Sequence, residues 1–275
     1  MQQFNLYYTR KERINMFFNS LVYLVFLIYT TNLLLSNIQD PFNWFMGLIA
    51  FAFLSFGILK EILNFQFKKA VYLLTIKCDP KSGLNQVQIV ERFDLFKSFD
   101  STCLTFRILV HLDLRDCETL EAFLKNLPSD QIKDIELVNA YALFKISVFK
   151  QNKTQMKKAF TNLNALKDIK QNNKAVFSPL FIWEDIEAEY EFRMNDFKKA
   201  NSLLNKANLS VMNPRELAQH ALLQANVFIQ LGKTKEALGL YNEVVLLSPL
   251  NAYGIEAQEL VNVLEEVPEI SKINR

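Results

Sequence analysis

The sequence predicts an all-α chain: two transmembrane helices, then an α-solenoid of paired helices, then a C-terminal capping helix. Three observations lead there. No charged residue occurs between Arg13 and Asp40, and a second apolar run follows at once. Glycine and proline number only 6 and 7 in 275 residues, and no alternating apolar pattern persists long enough for a strand. Beyond the apolar runs, helical stretches come in pairs separated by short breaks, at intervals that fit stacked helical hairpins. The organisation expected is a polar segment over 1–13, a helical hairpin over 14–63 and a repeat domain over 64–275.

The runs Ile14–Ser36 and Phe42–Leu59 match the ~18–20 apolar residues that cross a bilayer core as a helix. A helix satisfies its own backbone, which lipid cannot do. Between the runs, Asn37-Ile38-Gln39-Asp40-Pro41 breaks the pattern. Asp40 suits an N-cap and Pro41 the first helical position, where the missing amide has no partner to lose. Trp44, with Phe42 and Phe45, suits the headgroup level. Gly47, Ala50, Leu54 and Gly57 recur at helical spacing, a stripe on which a neighbouring helix packs closely. Arg10, Lys11 and Arg13 precede the first run, and Lys60, Lys68 and Lys69 follow the second. Positive residues stay inside, so both termini and the repeat domain are expected in the cytoplasm. A cleaved signal peptide fits poorly, because the run is too long and Leu33-Leu34-Leu35-Ser36-Asn37 is a poor cleavage site.

Net charge is only +2, which gives no general attraction to nucleic acid. Cys78, Cys103 and Cys117 are odd in number and lack C-x-x-C spacing, so free thiols in a reducing compartment are expected. The richness in Phe, Asn, Lys and Ile is what an AT-rich genome produces, and the expected setting is a bacterial cell membrane.

After the second run the helical pattern continues through Phe65, Lys68, Lys69, Val71, Tyr72 and Leu74, so the span is expected to run into the domain. Five pairs follow: Phe65–Lys77 with Lys81–Leu95, Ser101–Leu114 with Glu118–Leu127, and Ile132–Lys150 with Thr154–Ile169. Then come Pro179–Arg193 with Asp196–Ala207, and Pro214–Leu231 with Thr234–Leu247. Gly83, Ala122, Ala159, Ala200 and Ala237 open the second helices, 39, 37, 41 and 37 positions apart. A last helix, Ala252–Glu266, is expected to cap the stack, with Val261 and Leu264 inward and Glu256, Glu259, Glu265 and Glu266 in water.

In the final pair, Ala225 and Phe228 stand on the first helix, Gly232 at the turn, and Ala237, Tyr241 and Val244 on the second helix, with Pro249 ending the unit. A small residue at Ala237 lets two helices cross closely while Phe228 and Tyr241 fill the flanking space. This stretch resembles a tetratricopeptide repeat. The preceding pair resembles it more loosely through Ala188, Asn195-Asp196, Ala200, Leu204 and Ala207, with Glu191 where an aromatic is expected. The resemblance implies a concave face on the first helices. In the last unit, Gln219, Leu222, Asn226, Ile229 and Gln230 would line it, with Asn226 clamping a partner's backbone amide.

No catalytic, cofactor-binding or metal-ligating set is predicted. His111 and His220 stand on different helices without a ligand at i+3 or i+4, and His220 falls off the apolar phase of Leu217, Ala221 and Phe228. There is no phosphate-cradling glycine loop, no H-E-x-x-H and no nucleophile elbow. Lys145, Lys150, Lys153, Lys157 and Lys158 open a basic block that continues to Lys174, and Glu184, Asp185, Glu187, Glu189 and Glu191 make the next helix acidic. Both blocks are solvated outer faces, or the lysines meet anionic lipid. Without interleaved aromatics the lysines do not point to nucleic acid.

Two functions lead, ahead of a lipid-surface sensor acting through the lysine block. One is a membrane-tethered tetratricopeptide-like scaffold that holds a protein or peptide on its cytosolic concave face. The other is an accessory subunit of a membrane complex for transport or secretion. It would act through its hairpin, whose Asn15, Asn19 and Asn32 seek partner helices.

Overall fold

A computed structural model describes residues 7–36, 41–172 and 182–273, and every element longer than a turn among them is a helix. The expected turn over 37–40 and the start of the fourth pair at Pro179 lie outside the described residues. α1 (Arg10–Ser36) and α2 (Pro41–Thr75) pack side by side. Each is long and apolar enough to cross a membrane, yet only 6% of each apolar window is buried. A core helix of a globular domain would hide that surface; here Phe18, Leu48, Phe51 and Phe53 are among many large apolar side chains left exposed. Between the two helices Gly47 lies against Leu34 and Gly57 against the Tyr23 ring. A Cβ at either position would come within 3 Å of the facing side chain. Leu54 is buried and Ala50 half-buried on the same helix. The Asn19 amide donates to Glu61 at 2.9 Å, which ties the two helices together at the ends nearer the rest of the chain.

No break separates hairpin from domain. α2 runs unbroken past residue 63, and its second half buries Leu63, Ala70 and Leu74 in the domain core. The helix changes surroundings along its length without changing conformation.

Five helical hairpins follow, closed by one kind of turn. α2 pairs with α3 (Pro80–Phe93), α4 (Asp100–Asp113) with α5 (Cys117–Lys125), and α7 (Glu136–Phe149) with α8 (Lys153–Asn172), α7 being preceded by the short α6 (Ser129–Asp134). α9 (Trp183–Arg193) pairs with α10 (Phe197–Leu204), and α11 (Pro214–Gln230) with α12 (Thr234–Leu247). At each turn one residue takes the left-handed conformation: Cys78, Arg115, Gln151, Asn195 and Gly232. The next residue's amide then reaches back to the carbonyl of Leu73, His111, Ser147, Glu191 or Phe228, closing the first helix. In four of the five that next residue is Asp79, Asp116, Asn152 or Asp196. Its side chain accepts from the amide three residues on and so caps the second helix. One dipeptide thus ends one helix and starts the next.

This turn, not the small residue, sets the repeat register. Five positions after each left-handed residue stand Gly83, Leu120, Met156, Ala200 and Ala237, all buried. The expected members Ala122 and Ala159 are exposed and half-buried instead, so the register in the second and third pairs is corrected. Leu120 and Met156 take the buried place there.

Among the described residues the apolar interior falls into three clusters. The largest runs from Leu63 of α2 to Ile186 of α9. A small one joins Ala188, Ala200, Leu204 and Val227. The third holds α11, α12 and α13 (Ala252–Ile273) together around Ala225, Ala237, Tyr241 and Val261. Val261 is buried and Leu264 packs on this cluster, while Glu259, Glu265 and Glu266 face solvent. Glu256 departs from the expected outward set, because it pairs with Arg115 of the second hairpin's turn.

Candidate functional site

The last hairpin folds back onto the first two. Arg215, at the start of α11, grips Asp113 at the end of α4 with two hydrogen bonds, Nε–Oδ2 at 2.5 Å and Nη2–Oδ1 at 2.7 Å. Both side chains are almost wholly buried. Burial opposes the guanidinium charge, but the Asp113 carboxylate outweighs it and holds the Arg215 pKa above the ordinary arginine value. The Gln219 amide joins the pair, donating to Asp113 Oδ1 at 3.3 Å and to the Tyr253 hydroxyl at 3.0 Å. Arg115 and Glu256 close the same face, and α11 touches α2.

A narrow polar cleft of about 70 Å3 is left between α7, α9, α11 and α13. It has room for a few water molecules, far below the ~300 Å3 at which small-molecule pockets begin. Lys145, buried, and Glu189, half-buried, face each other across it at 2.7 Å. Burial raises the pKa of the Tyr141, Tyr253 and Glu216 side chains that line it, Glu216 being also the partner of Asn213 in a capping box.

The expected groove residues divide. Gln219, Leu222 and Asn226 line the cleft, whereas Gln230 lines a second, more open cavity of about 290 Å3. Ile229 lines neither and packs into the C-terminal core. Asn226 is already engaged, since its Oδ1 accepts from the Tyr241 hydroxyl at 2.7 Å. Burial raises that phenol to about 12, so it stays a donor. No described residue accepts from the Asn226 amide nitrogen.

The second cavity lies along the turns of the third and fourth hairpins, between Gln151, Lys153 and Met156 on one side and Phe192, Asn195 and Phe197 on the other. Arg193 lines both spaces. Its guanidinium lies over the Phe192 ring at 5.3 Å, its buried Nε has no acceptor, and no carboxylate among the described residues pairs with it. Sequence reasoning did not single it out. Its one local mark is being the basic residue of the last turn of α9.

The two charge blocks meet each other. Lys145 pairs with Glu189 and Lys167 with Glu187 across the two blocks, while Lys150 pairs with Glu121 and Lys199, which lies beyond the basic block, pairs with Glu191. The picture of two separate solvated faces is corrected: opposite charges on adjacent helices neutralise where they face. Lys145 is buried and cannot reach a lipid surface, whereas Lys153, Lys157 and Lys158 remain exposed. His220 is also corrected, being buried with Nδ1 2.7 Å from Asp185, so its off-phase position marks a polar contact between α9 and α11. His111 is half-buried, and burial lowers its pKa against the pull of Asp116. Among the described residues no three His, Cys, Asp or Glu side chains converge as metal ligands.

No protein-family model, curated protein or solved structure matches the chain.

Proposed function

We propose that the chain is a membrane-tethered, tetratricopeptide-like α-solenoid that holds a partner protein at the cytoplasmic face of a membrane. The docking site is the surface on either side of Arg193. The exposed apolar flanks of α1 and α2 support the tether. The lysines and arginines at 10–13 and 60–69, with none at 41–59, support both termini being inside. The turn built the same way five times supports the repeat reading.

The observation that carries the site is the state of Arg193. Other cations along the inner face, Lys145, Arg115 and Arg215, each have a carboxylate; Arg193 lines two cavities with no carboxylate among the described residues and a buried Nε that meets no acceptor. An arginine fork matches a carboxylate in two bonds. The partner segment therefore brings an acidic side chain or a C-terminal carboxylate to Arg193. Its aromatic or aliphatic neighbours enter between Phe192, Phe197 and Met156, and the Asn226 and Gln230 amides bind its backbone. The cleft admits side chains, not a whole helix. Tethering supplies local concentration without catalysis.

The test is capture from detergent extracts with the intact protein, an Arg193→Gln variant and an Asn226→Ala/Gln230→Ala variant. One partner held by the parent and lost from Arg193→Gln supports the reading; an unchanged partner set contradicts it. The accessory-subunit alternative loses one support, since Asn19 finds Glu61 within the chain. Replacing the hairpin by an unrelated anchor separates the two, because the adaptor keeps its function and the accessory subunit does not.

A further inference from the structure

We infer that the loop between α3 and α4 is a third membrane contact, a wedge that seats the domain in the cytoplasmic leaflet beside α2. This rests on the reading of α1 and α2 as membrane-spanning. The loop, Asp94-Leu95-Phe96-Lys97-Ser98-Phe99, carries Leu95 at 71% exposure and Phe96 at 68%. The two stand side by side at the loop tip, next to the exposed apolar face of α2.

Register decides what they face. α3 runs antiparallel to α2, and a Cβ on Gly83 would lie 3.4 Å from the Ala70 carbonyl oxygen, so these two positions are level. Ten residues on from Gly83 is Phe93, and ten back from Ala70 is Lys60. α3 therefore returns to the point where the apolar run of α2 ends, and the loop continues past it. The Phe96 ring meets the Phe56 ring edge-on at 5.1 Å. Phe56 is four residues beyond Lys60 toward the apolar run, about 6 Å deeper along the helix axis. The side chains of Phe96, Leu95 and Phe93 share an apolar hollow of about 270 Å3 with Phe53, Phe56 and Leu63 of α2. The wedge is thus continuous with the surface that meets lipid.

The loop is held in shape rather than slack. The Asp94 carboxylate accepts from the amides of Ser98 at 3.0 Å and Phe99 at 2.6 Å, which spends its charge on the loop itself. Lys97 sits exposed in the left-handed conformation at the tip, Lys60 lines the hollow, and the exposed Arg92 guanidinium lies over the Phe93 ring at 5.8 Å. Apolar residues that enter the acyl region, with cations placed for headgroup phosphates, match the interface of a leaflet. The occupant is lipid: acyl chains against Leu95 and Phe96, phosphates against the three cations.

The test uses the full chain in vesicles of phosphatidylcholine with phosphatidylglycerol, in a Trp44→Phe/Trp183→Phe background. Phe96→Trp reports the wedge and Phe51→Trp the middle of the span. The expected result is blue-shifted emission from both, with strong loss to lipids brominated in the acyl chain; the wedge is quenched most by bromine near the headgroup end. A quenched Phe51→Trp with an unquenched, red-shifted Phe96→Trp overturns the wedge and leaves the spans standing. An unquenched but blue-shifted Phe96→Trp means that protein covers the tip, and overturns the assignment to lipid. If neither is quenched, the spanning reading falls and the wedge with it. Leu95→Trp serves at the same tip if Phe96→Trp lacks the parent's helicity.

Discussion

The block from α2 to α9 and the block from α11 to α13 are built from the same hairpins but held in place differently. In the first, one apolar cluster passes without interruption from Leu63 to Ile186, and ion pairs such as Arg107–Glu91 lie on its flank. The second has its own core around Ala225 and Tyr241. It meets the first partly through the small patch at Ala188, Ala200, Leu204 and Val227 and partly through charge, with Asp113–Arg215 buried at the centre. Apolar contact is tolerant of register, whereas a buried two-bond ion pair holds one geometry and no other. The chain thus uses continuity to build one block and a polar lock to set the angle of the other.

Breaking the lock gives the largest expected effect. Arg215→Ala leaves Asp113 buried and unpaired, and is expected to cost about 3–5 kcal/mol in denaturant unfolding of the detergent-solubilised protein. Asp113→Leu with Arg215→Leu removes both charges and should recover most of that loss. Cys78 reports which block moves, since it is fully buried and close enough to the pair for both charges to act on its thiol. Burial raises that thiol to about 11 and Cys103 to about 12, so both resist alkylation near neutral pH. In Arg215→Ala, Cys78 should alkylate faster while Cys103 stays protected. Equal acceleration of both would mean that the blocks unfold as one.

Two glycines of the second block sharpen the same comparison at a smaller scale. A Cβ on Gly254 would collide with the Ser248 backbone, where α13 leaves the last turn, whereas Gly239 on α12 faces open space. Gly254→Ala should lose about 1–3 kcal/mol, and Gly239→Ala should gain about 0.5–1 kcal/mol. Thermal midpoints of the two variants would show the opposite signs.

The smallest effect belongs to the first block. Burial depresses the His111 pKa in the fold, so the folded state favours the neutral ring. That contribution is present above the unfolded value of about 6.5 and fades as pH falls through the lower folded value. His111→Gln should therefore flatten the drop in unfolding midpoint between neutral and mildly acidic pH, relative to the parent.

The hairpins were legible because their signals are local. Pro214 after Asn213, Asp196 after Asn195 and the break at Asp116 mark helix ends by chemistry that acts over three or four residues. The register was only half legible, since Cys78, Arg115 and Gln151 take the left-handed conformation without being residues that prefer it. A small residue then looked like the better marker and misplaced the second and third units. The site was less legible still. Gln219, Leu222 and Asn226 could be placed on the inner face only through the tetratricopeptide resemblance, and the partner of Arg215 lies 102 positions away and that of Arg115 lies 141 away. Nothing in a local pattern joins such residues. Lys145 read as solvated, and His220 as merely off the apolar phase, for the same reason: the carboxylate partner of each comes from a different hairpin.

The most direct measurement is photo-cross-linking in intact membranes, with the reactive group placed at Gln230 beside Arg193 or at Leu24 in the first span, followed by mass spectrometry. The account predicts that the Gln230 probe captures one soluble protein through an acidic segment, and that capture disappears with Arg193→Gln. Capture of membrane subunits from Leu24, with none from Gln230, would contradict it and make the hairpin the working part.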